Sequence, residues 1–362
     1  MANSHHTNTE NVAKEQHLIP RTYMRNWCYS GDSVWTIDKR VKPYQICTRN
    51  IENINKLSFH YDIKAGDLFA TTQSLECIFG FLDAHEIYFE GTKLDLNNMN
   101  INYFCVDQWE IIKPDGKPAN KKERNLIKDK LRKSRYTFIE TEWDKQYEKN
   151  WDIFISEIER KVISMKDGEK DQLTSSDKEM LMRYLVMFDW RSKSGNSILD
   201  EAFDSVIDFI SSMSPEFDKI VIPNKDRTHK VDQTLIDAIR VSKYRKAYYE
   251  FLSNDTGNMK KYFDIYYRYL TFNFCITDSN NQFITSDNPA FMFTNKDNWK
   301  EHILVALPTL LLSTCRTDDI GAFMISNISA EEVLYYNQVI AKNGELLILP
   351  SDQVDISALL LD

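Results

Sequence analysis

Seven large apolar residues, Ile139, Trp143, Tyr147, Trp151, Phe154, Ile158 and Val162, recur at steps of three and four. That step matches the 3.6-residue turn of an α-helix, so all seven share one face. A polar helix with one apolar stripe has to lay that stripe on a core. One long helix over 139–162 is therefore expected near the middle of the chain. The material for a core is present, since 42% of the 362 residues are hydrophobic and 12% aromatic. With only 10 Gly and 9 Pro, a many-turned all-β chain is disfavoured.

The period changes on both sides of that helix. Pro20 suits a first helical turn, where its missing N–H costs nothing, and a short helix is expected through Trp27. Residues 33–38 alternate as a strand does after the Gly31-Asp32 turn, and 68–90 reads as helix. Ser176 and Glu179 are spaced as a capping box ahead of another helix. Further helices are expected over 198–213, 233–253 and 259–271, with Pro215 and Pro223 in a loop. Asp278 to Asn281 separates 273–277 from 282–286 as a hairpin turn would. Strands follow at 303–307, 310–315, 322–326 and 346–349. Ser329 and Glu332 open a helix that Gly344 stops. The expected class is α+β, with a helical central region inserted between N- and C-terminal strands that share one sheet. The regions are 1–13, a mobile tail; 14–113, an N-terminal α/β segment; 114–273, helical; and 274–362, β-rich. Together they make one composite domain.

A net charge of −9 gives the chain no general attraction to nucleic acid or to anionic membrane. The six cysteines form no C-x-x-C pair, which excludes zinc-ribbon and thioredoxin-type sites and leaves buried, reduced thiols as the expectation. No apolar run is long enough to span a bilayer, and the first dozen residues lack a signal-peptide core. A cytoplasmic protein with no membrane partner is expected. There is no P-loop, no G-x-G-x-x-G, no G-x-S-x-G and no H-E-x-x-H.

Five groups of residues are candidates for chemistry. His17 stands just before a helix start, with Arg21 and Arg25 a turn apart, an arrangement suited to an anionic substrate. The alternative is a histidine that ties the chain to a nearby carbonyl while Tyr23 packs inward. Thr285-Ser286-Asp287-Asn288-Pro289 ends a strand, where polar groups are held rigidly. There Asp287 suits a general base or metal ligand, or simply an Asx turn. Glu140, Asp144 and Glu148 share a helix face and would suit Mg²⁺, or merely solvent. Asp189 and Arg191 flank Trp190 and are placed to meet substrate or each other's neighbours. Finally, 113–135 carries ten Lys or Arg against Asp115, Glu123 and Asp129, a local basic patch in an acidic chain.

The order of several motifs resembles the bacterial family called domain of unknown function 4238. These are His17-x-x-Pro20-x-x-Tyr23, the Gly31 turn with the strand ending at Asp38, the 139–151 helix, the 187–191 segment, Thr285 to Pro289, and Asn337. Met24 and Trp27 stand where that family usually has Leu and Phe, and Thr309-Leu310 where it more often has Ser-Pro. The resemblance implies an uncharacterised bacterial protein and no particular reaction. The residues themselves suggest a phosphodiester- or nucleic-acid-directed hydrolase; a role as a defence or toxin effector would fit a stand-alone bacterial protein, though no residue shows it. His17 would be its general acid/base, with Asp287 and Glu148 orienting it or holding a metal such as Mg²⁺. Arg21, Arg191, Ser286 and Asn288 would bind substrate, and Lys121, Lys128, Arg132 and Arg135 would contact nucleic acid. The alternative is a non-catalytic binding protein, whose motifs are structural corners. Catalysis as drawn requires His17 and Asp287 within hydrogen-bond or one-water reach. Oligomeric state stays open.

Overall fold

The apolar stripe forms helix, but not a single one. A computed structural model, which describes residues 15–58, 60–192, 212, 219–222, 234–316 and 321–360, has helices at Phe138–Gln146 and Trp151–Val162 joined by a 3₁₀ turn at Glu148–Asn150. The backbone leaves the helical region at Tyr147 (φ −124°, ψ −58°). Trp143 and Trp151 are still buried on either side of this kink, while Phe154 is half-buried against the Tyr184 ring. Burial of both indoles outweighs continuity of the helix.

The chain divides into two compact units. One takes Ser58–Glu142 with residues from 1–16 and 203–252; the other takes His17–Leu57 and Ser253–Asp362 with residues from 143–202. In the first unit, the helix Thr72–Phe79 packs with a three-stranded sheet of Thr92–Lys93, Glu86–Phe89 and Glu110–Ile112. Ile63, Leu75, Phe79, Trp109, Ile111 and Leu131 form its core. The helix expected over 68–90 is cut short. Gly80 follows its last residue, and the run Ile87-Tyr88-Phe89 has the β-branched and aromatic character that favours a strand.

The second unit holds two sheets. In the four-stranded one the order is Thr285–Ser286, Leu346–Leu349, Ser33–Asp38, Ile46–Asn50, with Leu349 opposite Trp35 and Ile348 opposite Thr285. N- and C-terminal strands therefore do share a sheet. The six-stranded sheet runs Ala290–Thr294, Lys300–Leu307, Leu310–Arg316, Leu270–Ile276, Ala322–Asn327, Lys170–Gln172. The hairpin expected around 278–281 does not form, because Leu270–Ile276 and Thr285–Ser286 enter different sheets. Asp278 Oδ1 instead accepts from the N–H groups of Asn280 and Asn281, an Asx-type turn that needs no strand pairing.

The helix Ser175–Arg191 is buried without interruption from Tyr184 to Arg191. Its cap is Thr174, whose hydroxyl accepts from the Asp177 N–H, rather than Ser176. The Ser329–Glu332 capping box forms as read, ahead of the helix Ala330–Asn343. An aromatic core joins these elements. The Tyr23 ring lies 4.7 Å from Phe188 and 5.0 Å from Trp27, and Trp151 lies 5.1 Å from Phe188.

The cysteines correct a further expectation. All six are free, but Cys275 alone is buried, and Cys47, Cys77 and Cys315 are exposed. The tail 1–13, the expected 198–213 helix apart from Ser212, and Pro215 and Pro223 lie outside the described residues. Among the described residues no helix is long and apolar enough to cross a membrane.

Candidate functional site

Three of the sequence candidates meet around Arg191. Its guanidinium is fully buried, bonds Glu148 through Nη1 and the His17 carbonyl through Nη2, and stacks 5.3 Å from the Trp143 ring. The kink at Tyr147 is what turns Glu148 toward it. His17 Nδ1 lies 3.1 Å from the Ile54 carbonyl. Burial is the main reason the imidazole titrates below its ordinary value, with Arg21 and Arg191 adding to the effect. Arg21 is held by Asp32 and Glu52 at 3.2 and 3.0 Å. The cluster is tight and its cation is already neutralised, so it braces the chain entry at His17 more than it offers an open phosphate site.

Asp287 sits in a different corner. Its Oδ1 accepts from the backbone N–H groups of Glu345 and Leu346, at 2.8 and 3.3 Å. The Ser286 hydroxyl bonds both backbone groups of Asn288, whose amide reaches the Asn343 carbonyl at 3.4 Å. Gly344 is required here, since a Cβ on it would stand 2.4 Å from Ser286 Cβ. The two sequence motifs nevertheless touch. The Tyr23 hydroxyl lies 2.6 Å from Thr285 Oγ1 and donates to the Val305 carbonyl at 2.7 Å, while Trp27 Nε1 donates to the Phe283 carbonyl. Asn337 completes the corner by accepting from the Ile284 N–H and donating to the Gln282 carbonyl. It is Tyr23, not His17, that joins the motifs, and the bond is structural.

The three carboxylates of the stripe do not converge: Asp144 pairs with Lys149, and Glu148 with Arg191. Among the described residues no group of three or more His, Cys, Asp or Glu is placed to hold a metal ion. In the first unit the basic segment forms the helix Lys121–Lys133, capped by Asn120 and Glu123. Lys128 pairs with Asp107 and Arg132 with Asp129. Arg135 folds back onto the carbonyls of Arg132 and Ser134 and is half-buried. Lys121, Lys122 and Lys133 remain exposed.

A site that sequence reasoning saw only in part lies on the six-stranded sheet. An open cleft of about 1160 Å³ is lined by Tyr266, Asn273, Met292, Glu301, His302 and Thr314, among others. Glu301 and His302 are successive residues of one strand and project to opposite faces. Glu301 is fully engaged, accepting from Ser313, Tyr336 and Asn295 at 2.6, 3.0 and 3.1 Å. His302 is not. It is 2% exposed, and neither ring nitrogen has a hydrogen-bond partner among the described residues. Its Nε2 lies 3.6 Å from Asp189 Oδ2. The Tyr262 hydroxyl donates to that oxygen at 3.3 Å and contacts Tyr266 at 2.6 Å. The Tyr266 ring meets His302 edge-on.

Asp189 and Arg191 ride the last turn of one buried helix. Two residues at 3.6 per turn point about 200° apart, so the same turn serves the cleft and the His17 brace on opposite sides. Burial pushes the Asp189 carboxyl up to about 7, and the Tyr262 bond pulls against it. The negative end of the helix dipole acts in the same direction as burial. Burial also drives the His302 imidazole down to about 3. Below about pH 7 the pair is therefore uncharged, with the proton on the carboxyl, and above it the carboxylate faces a neutral imidazole. Asp189 was visible in sequence as a charged residue in an apolar helix. His302 went unremarked, although a Glu-His pair opening the apolar run Ile303-Leu304-Val305 is its signature.

The family model described as Protein of unknown function (DUF4238) matches residues 15–352. No curated protein and no solved structure matches the chain.

Proposed function

The chain belongs to the DUF4238 family of proteins of unknown function, and for this member we propose a general acid–base enzyme, of hydrolytic type, that works in the cleft at His302 and Asp189. One observation carries the reading. A deeply buried imidazole lines an open cleft with both nitrogens unpartnered, beside a carboxyl at 3.6 Å. A buried polar group without a partner is costly and calls for an explanation; a substrate or an attacking water supplies one. His302 would take a proton from water as it attacks, and Asp189, once ionised, would stabilise the imidazolium. The acid/base role thus moves from His17 to His302. A phosphodiester or nucleic-acid substrate remains the class proposed for the hydrolysis.

The test is a pH–rate profile on RNA and on a chromogenic phosphodiester. Activity should rise as pH passes through about 7 and Asp189 ionises. His302→Gln should abolish turnover, and Asp189→Asn should remove the rising limb. Turnover that survives His302→Gln would overturn the assignment. A second reading has its own observation. Exposed Lys121, Lys122 and Lys133 suit a nucleic-acid-binding protein that needs no catalytic centre.

A further inference from the structure

Asp189 has a second neighbour besides His302, and that neighbour belongs to a pair. On the helix Gly257–Tyr269, Tyr262 and Tyr266 stand about one turn apart and share a face, their ring centroids 4.3 Å from each other. The two hydroxyls lie 2.6 Å apart, and that of Tyr262 reaches Asp189 Oδ2 at 3.3 Å. Tyr266 also lines the cleft. Burial, helped by the Asp189 charge, raises both phenols above their ordinary value, so each keeps its proton wherever the carboxyl titrates.

The count of protons then fixes the direction of the chain. A phenol has one proton to give. Tyr262 spends its own on Asp189 Oδ2, so the proton in the 2.6 Å contact belongs to Tyr266. Both O–H dipoles run toward the carboxyl, each strengthening the other, and favour its charged form. The other elements packed on that end of the helix Ser175–Arg191 supply no cation to do this among the described residues. His302 is held neutral by burial, Glu301 projects to the other face of the sheet, and the strand Ala290–Thr294 carries no titratable residue. On the Tyr262 helix, Lys260 pairs with Asp264, and Lys261 and Arg268 are exposed. Arg191 is turned away, onto Glu148 and the His17 carbonyl.

We propose that Tyr262, backed by Tyr266, is the positioning residue of the cleft: it holds Asp189 Oδ2 beside His302 and stabilises the carboxylate that faces the imidazole. This rests on the Asp189–His302 reading of the cleft and names the residues that set its protonation.

Infrared difference spectroscopy of the full chain, with Asp189→Asn as the blank, follows the carbonyl band of the protonated Asp189 carboxyl through a pH titration. In the wild type the band should vanish as pH passes through about 7. Tyr262→Phe removes the bond to the charged form, and the midpoint should rise by about 1 pH unit. Tyr266→Phe leaves that bond and removes only its backing, so the midpoint should rise by less. Circular dichroism checks that each variant folds, and Tyr266→Phe carries the test if Tyr262→Phe does not. A merely structural role would lower the thermal midpoint of the variants and leave the titration in place, and that result overturns the proposal. A titration midpoint that moves down in either variant, or further in Tyr266→Phe than in Tyr262→Phe, overturns it too, since the chain would then run the other way. The band is read without substrate. A shifted midpoint in a protein that turns nothing over therefore supports the positioning role and refutes the acid–base reading alone. Turnover that depends on His302, with a midpoint unmoved by either variant, refutes the positioning role alone.

Discussion

Replacing His302 by Gln should uncover a pH dependence of stability that the wild type conceals. The folded Asp189 carboxyl is raised to about 7, above its unfolded value, so its contribution is present in acid and lost as pH rises from about 4 to 7. The folded His302 imidazole is depressed to about 3, so its contribution is present above about 6.5 and lost as pH falls. Over about pH 4–6.5 the two slopes oppose and nearly cancel. Without the imidazole, Asp189 acts alone, and stability to urea should fall by up to about 1.4 kcal/mol per pH unit between pH 4 and 7. Asp189→Asn should show the reverse, a gain with rising pH. Variants that keep the flat wild-type profile would mean that the two groups are not buried as a pair. At this scale the sequence was a partial guide. The polar character of His17, Arg191 and Asp287 was visible, but not that their bonding capacity is spent on backbone carbonyls, a partner carboxylate and loop N–H groups. Those partners lie far along the chain and leave no local pattern.

Among the elements, those specified by nearby residues were legible. Ser33–Asp38 and Leu346–Leu349 alternate or run apolar between turn signals, and the Ser329–Glu332 box fixes a helix start within four residues. The kink at Tyr147 and the parting of Leu270–Ile276 from Thr285–Ser286 were not, because both are decided by distant packing. The basic helix shows the limit of counting charge. Lys128 and Arg135 are engaged within the fold, so the cations free to meet phosphate lie elsewhere on the helix. Lys121, Lys122 and Lys133 changed together to Glu should abolish any salt-sensitive binding to RNA or DNA. The loss should not depend on sequence, since phosphate contacts carry none. The fold should be retained, exposed charges contributing little to it. Gel-shift titrations across salt concentrations decide the matter; binding that survives the triple change places the interface on another surface.

For the whole molecule, the two units interleave along the chain, and each is assembled from separated stretches. A cut between Glu142 and Trp143 divides both. Fragments 1–142 and 143–362 should therefore each lack the cooperative thermal transition that the uncut chain shows. Calorimetry of the fragments checks this, and a sharp transition in either would show that its unit closes without the missing stretch. The strand Ser33–Asp38 has the same dependence built in, since Leu346–Leu349 is its neighbour on one side. During synthesis that neighbour emerges about three hundred residues later. At about 5–20 residues per second, the early strand stands for roughly 15–60 seconds with an open edge, the condition under which nascent chains mispair. Its successor Ile46–Asn50 can cover the other edge at once. Ribosome-bound chains that stop short of Leu346 should thus be the species that depends most on chaperones.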